Sequence, residues 1–537
     1  MRNGQGSIEL VQKLTEIGVA LSAEKDEGKL LELILRGARE ITGADGGTLY
    51  WRTDSDTLEF AIMFTESLGI HLGGTSGQEV NLPPLPLFNE DGSPNLKMVA
   101  AHAAVTGKTV NVSDAYVGGG EFDFSGTRAF DQKTGYRSRS FLAVPMRNHE
   151  DEVIGVLQLL NAMDEPGAEP RPFTDEEEGL VTSLTSQAAI AITNRRLIQD
   201  QRELFEAFIQ LMAAAIDDKS PYTGGHCRRV PELTMMLADA AVRSDQGSLS
   251  DFSMTEEDRY ELYIAGWLHD CGKVTTPEYV VDKATKLKTI FDRVELVDVR
   301  FDVLRQKAHV EHLQALLYMP TEAHAQAEIK LEATLAELDE EQAFIRRFNV
   351  GGEFMPEEAQ ERVRVIAKRP MPPDSSTPTL LTDDEVYNLC ISRGTLTQEE
   401  REVINNHIVA TIKMLESLPY PKYLRRVPEF AGGHHERMDG KGYPRGLVRE
   451  EMSVQARVMG IADIFEALTA GDRPYKKAMT LSQALTILGR MKEDNHVDPD
   501  LFEVFMREKI YLEYANKFLG PDQIDDVDLS AIPGYVH

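Results

Sequence analysis

Two adjacent histidines, His434 and His435, stand directly before Glu436. The stretch continues through Arg437-Met438-Asp439-Gly440-Lys441 into Gly442-Tyr443-Pro444. Neutral imidazole is the commonest side-chain ligand of transition metals, so a His-His pair invites a metal reading. The competing reading is a surface loop that carries two histidines by chance, and the rest of the histidine distribution decides against it. Of 13 His in 537 residues, His226, His269, His407, His434 and His435 fall in short, separate clusters, and Asp270 and Asp463 sit in similarly distinctive contexts. In His269-Asp270-Cys271-Gly272-Lys273 the histidine can give nitrogen to one ion, while the carboxylate can bridge two. Lys273 follows Asp270 by one helical turn, which brings its ammonium to the same side. Farther along, Asp472-Arg473-Pro474-Tyr475-Lys476-Lys477 gathers positive charge suited to holding phosphate.

These residues need helices to carry them. Gly224-Gly225 precede His226 at the start of a helix whose Val230, Leu233 and Leu237 share one face. Thr255 and Asp258 form a capping-box pattern for a helix that turns Tyr260, Ile264, Trp267 and Leu268 inward, runs into His269-Asp270 and ends at Gly272. Leu396-Thr397-Gln398-Glu399-Glu400 opens the helix leading to His407. Val458, Ile461, Phe465 and Leu468 mark the buried side of a helix from which Asp463 points elsewhere. Between these pieces, residues 288–395 are charged and helix-rich, with expected helices over 293–318 and 322–348 and loop through 370–378. His309, His312 and His324 read as residues of solvated helices.

The totals fit this picture. A chain of 537 residues calls for two or three domains. No apolar run approaches the ~18 residues of a membrane span, and the polar first residues lack a signal peptide's hydrophobic stretch. Three scattered cysteines, Cys227, Cys271 and Cys390, suggest neither a disulfide framework nor a zinc ribbon, so a reducing cytoplasmic setting is expected. A net charge of −31 argues against general binding to DNA, RNA or anionic lipid, while leaving room for a phosphorylated substrate in a locally positive pocket.

The first third reads as a sensor. Helices are expected over 7–22 and 28–42, and strands over 47–53, 58–65, 141–146 and 153–160, with a Gly- and Pro-rich connection over 67–138. Gly135 through Met146, then Val153 through Asn161, resemble the latter half of a GAF domain. The resemblance implies an α/β fold, an antiparallel sheet with helices, over 26–195. Asn161 and Phe173 match the pattern of GAF domains that bind cyclic nucleotides, but Ala162 replaces a lysine and Glu177 an aspartate. Those departures leave a GAF domain used for dimerisation or for an unidentified small ligand. Residues 176–216 read as one long helix in which Ile190, Leu197, Leu204 and Leu211 recur every seven residues, with Asn194, Gln201 and Phe208 as companions. The pattern is that of a parallel coiled coil joining a homodimer.

HDCGK, the isolated His407, HHERMDGKGYP, the helix around Asp463 and DRPYKK, in that order, resemble an HD-GYP phosphodiesterase over about 205–520, with 288–395 outside the usual pattern. The resemblance implies an all-α helical bundle that hydrolyses cyclic di-GMP to linear pGpG and sometimes on to GMP, with iron or manganese as its usual metals. Nickel or zinc would also suit the ligand types. Carried over by position, it makes His226, His269, Asp270, His407, His434, His435 and Asp463 metal ligands, with Asp270 bridging. Lys273 becomes the catalytic lysine, Arg473 and Lys476 the phosphate contacts, and Tyr443 part of the loop beside the substrate. Some relatives place a glutamate, which helps hold a third metal, where this chain has Tyr222, so two divalent ions are expected. The expected plan is an N-terminal helix (1–25), a GAF sensor (26–195), a connecting helix (176–216), the phosphodiesterase domain (205–520) with its insertion (288–395), and a tail (521–537). Alternatives are another cyclic dinucleotide such as 3′,3′-cyclic GMP-AMP, an HD-superfamily nucleotidase, or a silent receptor for the dinucleotide or a diguanylate cyclase.

Overall fold

The computed structural model describes residues 2–24, 26–117, 121–219, 225–352, 354–471 and 478–536. It divides into two units, 1–204 and 205–537. In the first, α1 (Arg2–Ala23) and α2 (Glu27–Thr42) precede β1 (Ala44–Arg52), β2 (Thr57–Thr65), β3 (Ile70–Gly73) and β4 (Leu85–Pro86). Then come α3 (Val99–Thr106), β5 (Val110–Val112), α4 (Ser125–Thr134), β6 (Phe141–Arg147), β7 (Val153–Ala162) and α5 (Asp175–Lys219), whose last part lies in the second unit. Asp26 caps α2 by accepting from the Lys29 amide, and Gly43 ends the helix at φ +63°.

The strands pair antiparallel in the order β3-β2-β1-β7-β6-β5, with β4 also on β2. Alternation along each strand sorts the side chains onto two cores. Leu49, Leu142, Val144, Leu157 and Leu159 join α2 and α5 on one face, whereas Tyr50, Phe141, Ala143 and Val156 join α3 on the other. The four expected strands are thus β1, β2, β6 and β7. The connection read as irregular holds α3 and α4 as well as the short strands β3, β4 and β5.

Asn161 closes this unit. It adopts φ +54°, accepts from the amides of Arg139 (2.7 Å) and Ser140 (3.2 Å), and donates to Tyr136 Oη and the Arg137 carbonyl. Phe173 is buried and Glu177 grips Arg171 with both oxygens. Asn161 and Phe173, which match a cyclic-nucleotide pattern, and Glu177, which departs from it, are therefore engaged in holding the fold.

The second unit is all helical: α6 (His226–Arg243), α7 (Glu256–Leu268), α8 (Glu278–Val281), α9 (Val294–Tyr318), α10 (His324–Asn349), α11 (Glu357–Ala367), α12 (Asp383–Leu389), α13 (Gln398–Glu416), α14 (Val427–Gly432), α15 (Val454–Thr469), α16 (Leu481–Glu493), α17 (Pro499–Arg507) and α18 (Ile510–Phe518). One core draws on α6, α7 and α14 to α18, including Val230, Leu233, Ile264, Phe430, Ile461, Phe465 and Phe505. A separate core over 287–389, with Phe301, Ile345, Val363 and Leu389, makes the insertion a packed body of its own. Residues 521–536 lie back on the main core, where Ile532 is buried and Gln523 donates to the Thr469 carbonyl. No helix among the described residues is long and apolar enough to cross a membrane.

Asn161→Ala leaves two backbone amides without their acceptor and should cost about 2–3 kcal/mol in the first unit. Trp51 and Trp267 are the two tryptophans. Denaturant unfolding followed by Trp51 fluorescence in a Trp267→Phe background is expected to show the lowered midpoint.

Candidate metal centre

Three of the histidines enter the centre with their orientation fixed by a carbonyl of their own segment. The Nδ1–H of His269 donates to the Gly266 carbonyl (2.6 Å) and that of His434 to the Ala431 carbonyl (2.5 Å), while His407 does the same to Ile404. All three acceptors lie three residues earlier in the chain. A carbonyl can only accept, so the hydrogen sits on Nδ1 and Nε2 is left as a lone-pair acceptor aimed inward. His226 reaches the same state by another route, since its Nδ1 donates to Glu466, a fully buried carboxylate that also accepts from Arg229 (2.6 Å).

The acceptors converge in two groups that share Asp270. Asp270 Oδ2 stands 3.1 Å from His226 Nε2 and 3.3 Å from His269 Nε2, while Asp463 Oδ1 is 3.3 Å from His226 Nε2. The other oxygen, Asp270 Oδ1, lies 3.2 Å from His407 Nε2, and His407 Nε2 is 3.2 Å from His435 Nε2. His434 completes that second group, its Nε2 buried without a hydrogen-bond partner. All seven side chains expected from the sequence are therefore gathered, with one carboxylate oxygen turned to each group. Nitrogen and oxygen lone pairs packed this closely, out of water, repel one another unless protons or cations lie between them. A mixed N/O donor set of this kind suits a divalent transition metal, so the residues fit the group they would hold.

The charge states agree. Burial pushes the His434 imidazole well below its usual range, and the neighbouring His435 and His269 push it further. Burial also lowers His435, to about 4, so both stay neutral ligands at neutral pH. Burial raises Asp270 and Asp463, but cationic neighbours outweigh it, Lys273 first for Asp270 and His226 first for Asp463, and both carboxylates stay ionised. Burial lowers His226 too, yet Glu466 and the two aspartates more than reverse that and favour its protonated form. A bound cation would take that proton's place.

Backbone contacts hold the two groups in register. The 3₁₀ turn after α7 presses on α13: the Gly272 amide donates to Thr411 Oγ1 (2.9 Å), and a β-carbon at Gly272 would fall 2.0 Å from the His407 carbonyl oxygen. Only glycine permits that approach, which brings Asp270 to His407. Glu436, buried beneath the Gly-Tyr-Pro loop, accepts from the amides of Arg445 (2.7 Å) and Leu447 (3.0 Å). The loop thereby stacks Tyr443 on His435, ring centroids 4.8 Å apart. Burial and the nearby aspartates push the Tyr443 phenol up to about 12, so it stays a neutral wall of the site. Lys273 Nζ donates to Asp270 Oδ2 at 2.5 Å, and although burial opposes its charge, Asp270 and Asp463 hold it as ammonium.

Arg473, Lys476 and Tyr222 lie outside the described residues. Neither Cys227 nor Cys271 joins either group; both are buried, and burial pushes the Cys271 thiol up to about 11. His312 pairs with Glu328 on the insertion (3.1 Å), away from the ligand groups. Sequence reasoning missed Glu466, Arg229 and Glu436 as supports. A signal existed for the first two, since Glu466 follows Asp463 and Arg229 follows His226 by one helical turn each.

Comparison with known proteins places domains on this geometry. Residues 26–192 match the family model described as GAF domain, and 223–341 and 381–501 each match a model described as HD domain. Relatives include a 3′3′-cGAMP-specific phosphodiesterase 3 of Vibrio cholerae, 41% identical over 111 residues, 20% of this chain and 23% of that protein. The cyclic di-GMP phosphodiesterase PA4108 of Pseudomonas aeruginosa is 37% identical over 115 residues, 21% of this chain and 26% of that protein. The cyclic di-GMP phosphodiesterase response regulator RpfG of Xanthomonas campestris pv. campestris is 34% identical over 130 residues, covering 24% and 32%. Each match spans a third or less of the relative's own length.

Carboxylates that orient a metal-binding histidine typically carry ~10–100-fold in metal affinity. Glu466→Gln is expected to weaken Mn²⁺ binding by that factor in chelator-competition titrations while the helical content stays unchanged. Binding at wild-type strength would remove Glu466 from the centre.

Proposed function

As a chain that joins a GAF domain to an HD domain, this protein is, we propose, a metal-dependent phosphodiesterase that hydrolyses cyclic di-GMP to linear pGpG and/or GMP. The observation that carries the reading is Asp270, whose two oxygens face two separate ligand groups of imidazole and carboxylate. In this reading His226, His269, Asp270 and Asp463 hold one divalent ion, and Asp270, His407, His434 and His435 hold a second, iron or manganese by family resemblance. Ions held there would supply Lewis-acid charge to a phosphodiester and lower the pKa of water.

The chain's own residues do the rest. Lys273, kept as ammonium by Asp270 and Asp463, donates to a non-bridging phosphate oxygen and offsets the charge that grows as water attacks phosphorus in line and the ribose 3′-oxygen leaves. The same ammonium can instead assist the leaving 3′-oxygen, which takes up one proton as the attacking water gives one up. Tyr443 lines the substrate side of the second ligand group, and Arg473 and Lys476 contact the phosphates. Names of relatives favour a second substrate, 3′3′-cGAMP, at similar identity, so the two cyclic dinucleotides are the pair to compare.

The GAF domain is the regulatory input and takes a small ligand. Ile190, Leu197, Leu204 and Leu211 of α5 all stand exposed at seven-residue intervals, which supports a parallel homodimer along that helix. A diguanylate cyclase is a further partner in this reading.

Protein purified anaerobically with iron or manganese is offered cyclic di-GMP and 3′3′-cGAMP side by side. Linear product is expected from the intact protein and none from His269→Ala/Asp270→Ala. Lys273→Met should retain its metal and lose ~10²–10³-fold in kcat. Failure of the metal-loaded protein to cut either dinucleotide would overturn the assignment and bring the nucleotidase reading forward.

A further inference from the structure

The insertion's first long helix, α9, has two apolar sides, and only one of them is used. Val297, Phe301 and Leu304 face inward to the insertion's own core with α10. On the opposite side Leu296, Val299, Val303, Gln306, Val310, Leu313 and Leu317 alternate at spacings of three and four through the helix. All are exposed, from 38% at Val303 to 78% at Leu317. Three consecutive heptads of this kind make the a/d seam of a coiled coil, with Leu296, Val303, Val310 and Leu317 at a and Val299, Gln306 and Leu313 at d. A contiguous apolar stripe left in water marks an interaction surface. The single polar position, Gln306, is the type of residue that fixes register in such seams.

We infer that α9 pairs in parallel with α9 of a second copy of this chain. Charge selects that occupant. In a parallel, in-register pair each g position meets the e position five residues on in its partner. Asp302, with its side chain 69% exposed, would meet Lys307, and Glu295 would meet Arg300. An antiparallel pair would set e against e, bringing Lys307 to a second Lys307 or to Arg300, which repel. Asp302 and Lys307 each make a local pair, to Arg305 and Glu311, which the pair between chains would share or replace. Arg300 already binds Glu385 and the Leu380 carbonyl, so the Asp302–Lys307 pair carries most of the selection. The surface is also preformed. Packing on α10 has already ordered α9, and association forfeits no helix-forming entropy. This contact is separate from the one along α5 and from the reaction at the metal centre. It gives the insertion a role as a second dimerisation element.

The test is site-directed disulfide formation in the full-length chain. Val299→Cys and Leu313→Cys, both at d, face their own counterparts in a parallel in-register pair, within reach of a disulfide. Glu311→Cys, exposed but on the side of α9 away from the seam, does not. Under mild oxidation both d variants are expected to give a disulfide-linked dimer and Glu311→Cys none. Adding Val303→Glu to Leu313→Cys is expected to abolish the dimer band. Equal bands from all three positions, no band at either d position, a band undiminished by Val303→Glu, or linkage only in a mixture of Val299→Cys with Leu313→Cys would each overturn the parallel α9 pair.

Discussion

Everything in the second unit turns on a set of acceptor atoms brought together with too few hydrogens to go round. His269, His407 and His434 each commit Nδ1–H to the carbonyl three residues back, so their Nε2 lone pairs point into a buried hollow. Two of those lone pairs face the two oxygens of Asp270. In water such an arrangement would relax by turning or by hydration, and in the folded chain it can do neither. Positive charge is what reconciles it: Lys273 on one flank and a proton on His226, whose place a cation would take in the proposed function.

The fold keeps the arrangement from relaxing. α7 and the turn after it carry His269, Asp270 and Lys273, α13 carries His407, and the absence of a side chain at Gly272 lets the two approach until Asp270 spans both groups. α15 carries Asp463 and, one turn later, Glu466, which fixes the tilt of His226 across from it. Glu436 ties down the loop that stacks Tyr443 against His435. The supports are themselves buried and hydrogen-bonded, which gives the ligands single orientations and lets segments more than two hundred residues apart form one centre.

Much of the centre was legible in the sequence because metal chemistry restricts residue types sharply, and five histidines with two aspartates in distinctive local patterns seldom arise by chance. The strands that build the first sheet were legible for a different reason: β1, β2, β6 and β7 are short apolar runs bounded by turn residues, and β1 and β6 are buried along most of their length on both faces. α3 and α4 were not. α3, Val-Ala-Ala-His-Ala-Ala-Val-Thr, is apolar with no sharply polar side, and α4 is short and mostly polar, so neither carries a helical stripe. The insertion's role was also unreadable, because α9 is apolar on two sides and the two stripes blur into one weak pattern until packing shows which is used. Glu466 stood in view beside Asp463, but a glutamate within a helix draws no notice until its burial is known.

The centre stands or falls on Asp270 lying between two cations. Anomalous diffraction at the manganese edge, from crystals grown with Mn²⁺, tests it directly. Two peaks are expected, one beside Asp270 Oδ2 toward His226, His269 and Asp463, the other beside Oδ1 toward His407, His434 and His435. Density without a peak on either side of that carboxylate, or manganese bound only elsewhere on the chain, would contradict it.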